Sequence, residues 1–375
     1  MPDRLMSDAL PDVPADSHAL FTSVLERLVG RESLSAAQAE IAFGVIMDGA
    51  VSSERIAAFL MALRVRGETP DELLGAVTAL RQRMNAVPDL PPDTVDVCGT
   101  GGDNYGTLNV STAVAFVLAG AGVHVAKHGN RAVSSLSGAS DVLGALGVPL
   151  LADTPALRRQ MQAHRAIFLA APNHHPAMRH AAQARKALGL PTLFNLVGPL
   201  VNPAGVRRQL VGVFSPSWLR PVVDVLSRLG SERVWAVCGL PSSGHGGIDE
   251  MTLAGPTQVE ALEDGRVHSF AVEPEMAGLA YAPVSAIQGG NAQQNAQALY
   301  ELLRGAHGAY RDTVLLNAAC ALHVAGRINL LHQGRLDPNA LKNGVADVAS
   351  TLDNGAALAV LEGLRAARPA DQPER

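Results

Sequence analysis

The sequence is poor in cysteine, in long apolar runs and in net charge, and each shortage removes a class of protein. Of its 375 residues only Cys98, Cys238 and Cys320 are cysteines, scattered and odd in number, so neither a disulfide framework nor a zinc site is expected. Each is expected to be a small buried apolar side chain. No apolar run reaches transmembrane length, and Met1-Pro2-Asp3-Arg4 lacks the basic and apolar regions of a signal peptide. The expectation is a cytoplasmic protein with no membrane partner. Thirty Lys and Arg against 35 Asp and Glu leave a net charge of −5, which gives no global attraction to nucleic acid. Two familiar phosphate fingerprints are also missing. There is no G-x-x-x-x-G-K-[ST], and the third glycine of G-x-G-x-x-G falls on Asn104, which speaks against an ATPase or a Rossmann domain.

What remains is a chain with 47% hydrophobic residues, long enough for a large core and for two structural units. Its pattern changes near residue 90. Upstream, apolar stripes at helical spacing run through Leu20, Phe21, Val24, Leu25 and Leu28, through Ile56, Phe59, Leu60 and Leu63, and through Leu73, Leu74, Val77 and Leu80. The last stripe begins at Thr69-Pro70-Asp71-Glu72, where Thr69 caps, Pro70 suits the first helical position and Glu72 completes a capping box. Residues 87–94, with Pro88, Pro91 and Pro92, break the pattern. Beyond them Val95–Val97, Gly122–Ala126, Ala166–Ala170, Gln209–Phe214 and Arg233–Val237 read as strands alternating with helices. The predicted fold is α/β, with a small all-helical domain and a larger domain built on a mainly parallel sheet. The expected boundaries are a flexible extension over 1–15, a helical domain over 16–88, an α/β domain over 89–366 and a flexible tail over 367–375.

Four segments carry chemistry. Asp96-Val97-Cys98-Gly99-Thr100-Gly101-Gly102-Asp103 follows a predicted strand, and its glycines let backbone N–H groups converge on an anion. A ligand-free glycine turn would have the same composition. Asp103 beside such a cradle is repulsive unless a cation or a sugar hydroxyl lies between. Asn109-Val110-Ser111-Thr112 opens the apolar run Ala113–Leu118, so it either binds an anion at a helix N-terminus or simply caps that helix. Lys127-His128-Gly129-Asn130-Arg131 supplies two cations just after a predicted strand and continues into Ser134-Ser135-Leu136-Ser137-Gly138. A solvated basic turn is the alternative. Gly244-His245-Gly246-Gly247-Ile248-Asp249-Glu250 ends in adjacent acids, which either stay solvated or turn together toward a hard cation such as Mg2+.

Taken jointly, with Ala171-Pro172-Asn173-His174-His175-Pro176-Ala177-Met178 and Phe194-Asn195-Leu196-Val197-Gly198-Pro199-Leu200-Val201-Asn202-Pro203, these segments resemble the anthranilate phosphoribosyltransferase family over nearly the whole chain. The resemblance implies transfer of 5-phosphoribose from phosphoribosyl pyrophosphate to the amine of anthranilate, in tryptophan synthesis. It also implies a helical domain hinged to the α/β domain and completed by helices within about 153–190, and a homodimer formed through the helical part. Donor contacts carried over by position are Gly99, Gly102, Asp103, Thr107, Asn109, Val110, Ser111, Thr112, Lys127, His128, Gly129, Asn130, Arg131, Ser134, Ser135 and Ala139. Ser111, Asp249 and Glu250 would hold Mg2+, two ions per subunit. Arg185 would pair with the anthranilate carboxylate, with Asn130 and Gly99 lining that pocket and His175 in its wall. No side chain stands out as the catalytic acid or base, and Lys127 is the first candidate for electrostatic catalysis. Leu136 stands where many members carry a basic residue, and Ala139 where many carry serine, which puts donor affinity in question. Two rivals share features: a pyrimidine nucleoside phosphorylase, for which the chain is short, and a non-catalytic nucleic-acid-binding relative, against which Arg185 and the negative charge speak.

Overall fold

The computed structural model describes residues 15–131, 136–242 and 246–367. The outermost residues of the expected extension and tail lie outside that range, as do Ser134, Ser135, Gly244 and His245. The chain divides into two compact units, one of residues 1–84 and 175–197 and one of 85–174 and 198–375.

The first unit is helical. Its leading helices are α1 (Ala15–Val29), α2 (Ala36–Met47), α3 (Ser53–Arg66) and α4 (Pro70–Arg81), joined by a returning segment with helices Arg179–Leu188 and Phe194–Val197. The capping box at α4 forms as the sequence predicts, with Thr69 and Glu72 bonding each other's backbone. Glu72 does more than cap. It is fully buried, pairs with Arg66 and accepts the Leu34 N–H at 2.9 Å, so one carboxylate ties three connections together. The apolar stripes meet in a core where Phe43 lies 5.2 Å from Phe59 and 5.5 Å from Phe194 between ring centres. Helices α2 and α4 touch at Gly75, whose Cβ would lie 2.5 Å from Ala36 O, so only glycine permits that approach. The returning segment starts at residue 175, later than the expected 153, because helix Thr154–His164 packs on the sheet of the second unit.

The second unit is built on seven strands: β1 (Val95–Gly99), β2 (Val125–Gly129), β3 (Ala166–Ala170), β4 (Arg208–Gly212), β5 (Arg233–Gly239), β6 (Thr257–Glu263) and β7 (Arg266–Val272). Their order is β3-β2-β1-β4-β5-β6-β7, parallel through β5 and antiparallel for the last two. The β6–β7 hairpin is absent from the sequence reading, because polar and charged residues interrupt the apolar ones in both strands. Strand β2 begins three residues later than predicted. Gly122, at φ 85°, and the bonds from Gly122 N to Ala119 O and Val123 N to Leu118 O are still closing the preceding helix. That helix, α5 (Val110–Gly120), is apolar on all sides and lies buried against helices Ala309–Val324 and Ala356–Ala366.

Candidate active site

The chain adds β2 and β3 on one side of β1 and then returns to place β4 on the other. Such a switch point opens a crevice at the carboxyl ends of the strands, where open α/β sheets bind ligands. Gly99 and Gly212, the last residues of β1 and β4, face each other across it.

Asp249 fills this crevice. A Cβ at Gly99 would collide with its carboxylate, and one at Gly212 with its backbone carbonyl. This corrects the reading of Gly99 as a glycine cleared for an anionic ligand: it is cleared for Asp249. Gly101 and Gly102 have φ of 67° and 79° and no atom within 4 Å of an added Cβ. The Gly101 N–H donates to Asp249 Oδ2 at 2.6 Å. The acidic pair is held on both sides. Ile248 exchanges backbone bonds of 2.8 and 2.9 Å with Gly239 at the end of β5. Asn317, on helix Ala309–Val324, accepts the Met251 N–H at 3.0 Å and donates to Met251 O at 2.9 Å.

Asn109 occupies the N-cap position of α5 but makes no capping bond. The Ser111 N–H instead donates to Glu250 Oε1 at 3.1 Å, placing a carboxylate against the positive end of the helix. Val110 and Thr112 are buried, so only their backbones are available to a ligand. Thr107 pairs with Gln288, and Asp103 accepts the Tyr105 N–H at 3.2 Å in a tight turn.

The carboxylates crowd one another. Burial and the neighbouring charges of Asp103 and Glu250 push the Asp249 carboxyl well above its ordinary range. Burial likewise pushes Glu250 up to about 7, against the opposing pull of Lys127 and of Ser111. Acids that resist ionising until a cation arrives suit a hard divalent ion. Among the described residues no three His, Cys, Asp or Glu side chains already form a metal cage. Mg2+ needs none, since it keeps waters and takes one or two carboxylates plus ligand phosphates.

Lys127 and His128 lie within β2, not in the turn after it. Lys127 is only 3% exposed, and its ammonium donates to Val97 O at 2.8 Å. It is therefore an internal cation between β1 and β2, close enough to oppose the upward push that burial gives the carboxyls of both Asp96 and Glu250. His128 is buried too, with Nδ1 2.9 Å from Gly198 O. Gly129 ends the strand, and a Cβ there would come 3.1 Å from that of Ala139, the first residue of helix Ala139–Ala145. A larger residue at 139 would crowd the same spot. Asn130 closes the turn by accepting the Ser140 N–H through its carbonyl at 3.1 Å, leaving Arg131 and Leu136 exposed.

Sequence reasoning missed Asp96. Fully buried in β1, it accepts from Asn202 Nδ2 at 2.7 Å and from the His128 N–H at 3.2 Å, and burial raises it despite Lys127. A carboxylate between Val95 and Val97 in an otherwise apolar strand was the available signal. Gln288 was also missed, although its Nε2 donates to Tyr105 O at 3.1 Å and Gly106 O at 2.9 Å.

Arg185 and His175 belong to the helical unit. Arg185 sits 5.4 Å over the Phe194 ring and forms no ion pair among the described residues. Burial lowers its proton affinity, because a guanidinium with little solvent is less well stabilised in its charged form. His175 is buried at the start of the returning segment.

The fold and this site define a glycosyl transferase. The model of the glycosyl transferase family α/β domain matches residues 91–358, and that of its helical bundle domain matches 22–84. The chain belongs to the anthranilate phosphoribosyltransferase family. It is 57% identical to the anthranilate phosphoribosyltransferase of Gluconobacter oxydans, covering 92% of this chain and 94% of that protein. It is 50% identical to that of Brucella suis, covering 88% and 93%. Among solved structures, the enzyme of Thermus thermophilus superposes with a TM-score of 0.81 at 38% identity, covering 92% and 98%. The Saccharomyces cerevisiae enzyme, in complex with PRPP and Mg, superposes at 0.80 and 29% identity, covering 93% and 98%.

Proposed function

We propose that this chain transfers 5-phosphoribose from phosphoribosyl pyrophosphate to the amine of anthranilate, releasing pyrophosphate, as a step of tryptophan synthesis. The observation that carries the reading is the crowding of Asp103, Asp249 and Glu250 at the switch point, with Glu250 set against the N-terminus of α5. Asp249, Glu250 and the Ser111 hydroxyl would hold Mg2+, two ions per subunit. The metal supplies neutralisation of the pyrophosphate charge as it departs.

The chain's own residues do the rest. The glycine loop at Gly102 and the first turn of α5 receive phosphate oxygens, and by the family resemblance Asn130, Arg131, Ser134 and Ser135 supply further donors. Lys127 acts from beneath the sheet edge, adding positive potential where charge develops on the leaving group. Arg185 offers anthranilate a fixed guanidinium fork, its stem braced on Phe194. An aromatic amine is neutral at pH 7, so it needs positioning more than a strong base.

Val29 and Val65, each 80% exposed on the helical unit, support assembly of a homodimer through that unit. Among the described residues no helix is long and apolar enough to cross a membrane. The reaction is tested by the loss of anthranilate fluorescence. Decay only when both phosphoribosyl pyrophosphate and Mg2+ are present is the expected result, and decay with inorganic phosphate or none at all would reject it.

A further inference from the structure

The loop that carries the proposed donor contacts is held from behind by a segment with no assigned role. Gln288-Gly289-Gly290-Asn291 runs alongside residues 105–108, with the Leu108 N–H donating to Ile287 O at 2.9 Å and the Gly289 N–H to Gly106 O at 2.8 Å. A Cβ at Gly289 would sit 2.8 Å from Thr107 O and 3.1 Å from Asn295 Nδ2, so glycine is what lets this segment come so close. Asn291 then caps helix Ala292–Leu303 in a full capping box with Gln294, which fixes the first turn of that helix and with it Asn295.

Asn295 is 2% exposed, and both ends of its amide are used. Its Oδ1 accepts the Gly290 backbone N–H at 2.7 Å, and its Nδ2 donates to Asn109 Oδ1 at 2.9 Å. The direction of this chain is not free to reverse. A backbone N–H can only donate, so the Asn295 atom facing it must be the oxygen, and the atom facing Asn109 must be the nitrogen. Asn109 must then turn its own oxygen to Asn295. Its Nδ2 is the amide end left over, with no hydrogen-bond partner among the described residues.

We propose that Asn295 is a positioning residue for donor binding. By the relay Gly290 N–H to Asn295 to Asn109, it withdraws Asn109 from capping α5 and orients its amide so that a donor, not an acceptor, is presented to the anionic ligand. This explains why an asparagine at an N-cap position makes no capping bond: its oxygen is engaged elsewhere, and the Ser111 N–H is left to Glu250. Tyr310 steadies the same residue by donating to Asn109 O at 3.1 Å. The inference rests on the reading that Asn109 contacts the phosphoribosyl donor.

The test is a double-mutant cycle read by calorimetric binding of phosphoribosyl pyrophosphate with Mg2+ and no anthranilate. Asn295→Asp keeps the acceptor for Gly290 but cannot donate, so Asn109 flips and offers oxygen to a phosphate. Donor affinity should fall at least tenfold, while the KM for anthranilate and the melting temperature stay close to wild type. In an Asn109→Ala background the same Asn295→Asp change should cost less than twofold, because there is no amide left to orient. If the losses multiply instead, the new charge or a fold defect is acting directly and the relay is wrong. Unchanged donor binding in Asn295→Asp, with Asn109→Ala impaired, also overturns it. Should Asn109→Ala itself bind donor normally, the placement of Asn109 in the donor site falls first and the relay with it. Asn295→Ser, which adds no charge, serves in the same cycle if the Asp variant does not fold.

Discussion

The Gly101 N–H donates to the Asp249 carboxylate at 2.6 Å, so the glycine loop and the acidic pair, remote in sequence, form a single device. Gly99 belongs to it as well, since the space before its Cα is occupied by Asp249.

Three glycine variants should therefore separate by mechanism. Gly99→Ala pushes mainly on the Asp249 carboxylate and lightly on its backbone carbonyl, 2.9 Å away, so the fold should survive with some loss of stability while kcat/KM falls on the order of 100-fold, about 2.7 kcal/mol of transition-state stabilisation. Gly212→Ala meets backbone and should cost more than about 3 kcal/mol of stability. Gly101→Ala meets nothing and should cost only the roughly 1 kcal/mol of a left-handed backbone. Thermal melts beside initial rates check all three, and an intact, fully active Gly99→Ala would remove Asp249 from the chemistry.

Replacing both Asp249 and Glu250 by alanine should abolish measurable turnover while the protein remains folded. Relief of carboxylate crowding should leave the melting temperature at or above that of the wild type, because both groups are held above their ordinary range. Added Mg2+ should partly rescue each single variant, since one carboxylate still remains for the ion. Activity of the double variant at limiting Mg2+ is the result that rejects the metal assignment.

The same crowding predicts a pH dependence for the metal-free protein. A carboxyl raised in the folded state binds its proton more tightly there than in the unfolded chain, so its stabilising contribution is complete below the unfolded value of about 4.5 and is lost as pH rises through about 7. Because Glu250 is only half-buried, the effect should be about 1–2 kcal/mol, short of the full shift. Chelated wild type should melt lower at pH 8 than at pH 5.5, and Glu250→Gln should flatten that slope. A slope that is unchanged in the variant would place its origin elsewhere.

Arg185→Ala should raise the KM for anthranilate sharply and leave that for the donor nearly constant, a loss of about 1.5–3 kcal/mol for a charge-assisted contact. Arg185→Lys should recover part of it, because an ammonium cannot reproduce the fork. Lys127→Ala is no longer a simple contrast. Its ammonium bonds Val97 O inside the sheet, so removing it should lower stability as well as donor affinity. Equal changes in both KM values for Arg185→Ala would withdraw that residue from the anthranilate pocket.

Local physics made much of this protein legible without coordinates. The α4 capping box is complete within four residues, β3 matches its predicted bounds, and the prolines over 87–94 mark the end of the first helical run. The order of the motifs sufficed for the family resemblance. What the linear chain could not express is which distant backbone comes near which side chain. That Lys127 is an internal strand residue, that Gly99 is shaped around Asp249, and that Asn295 turns the amide of Asn109 all depend on sheet order and helix packing. Strand propensity and turn chemistry act over a few residues, whereas these contacts join segments up to 186 residues apart. Their partners are selected only when the whole sheet is assembled, by steric exclusion at glycines and by the one-way donors of the backbone.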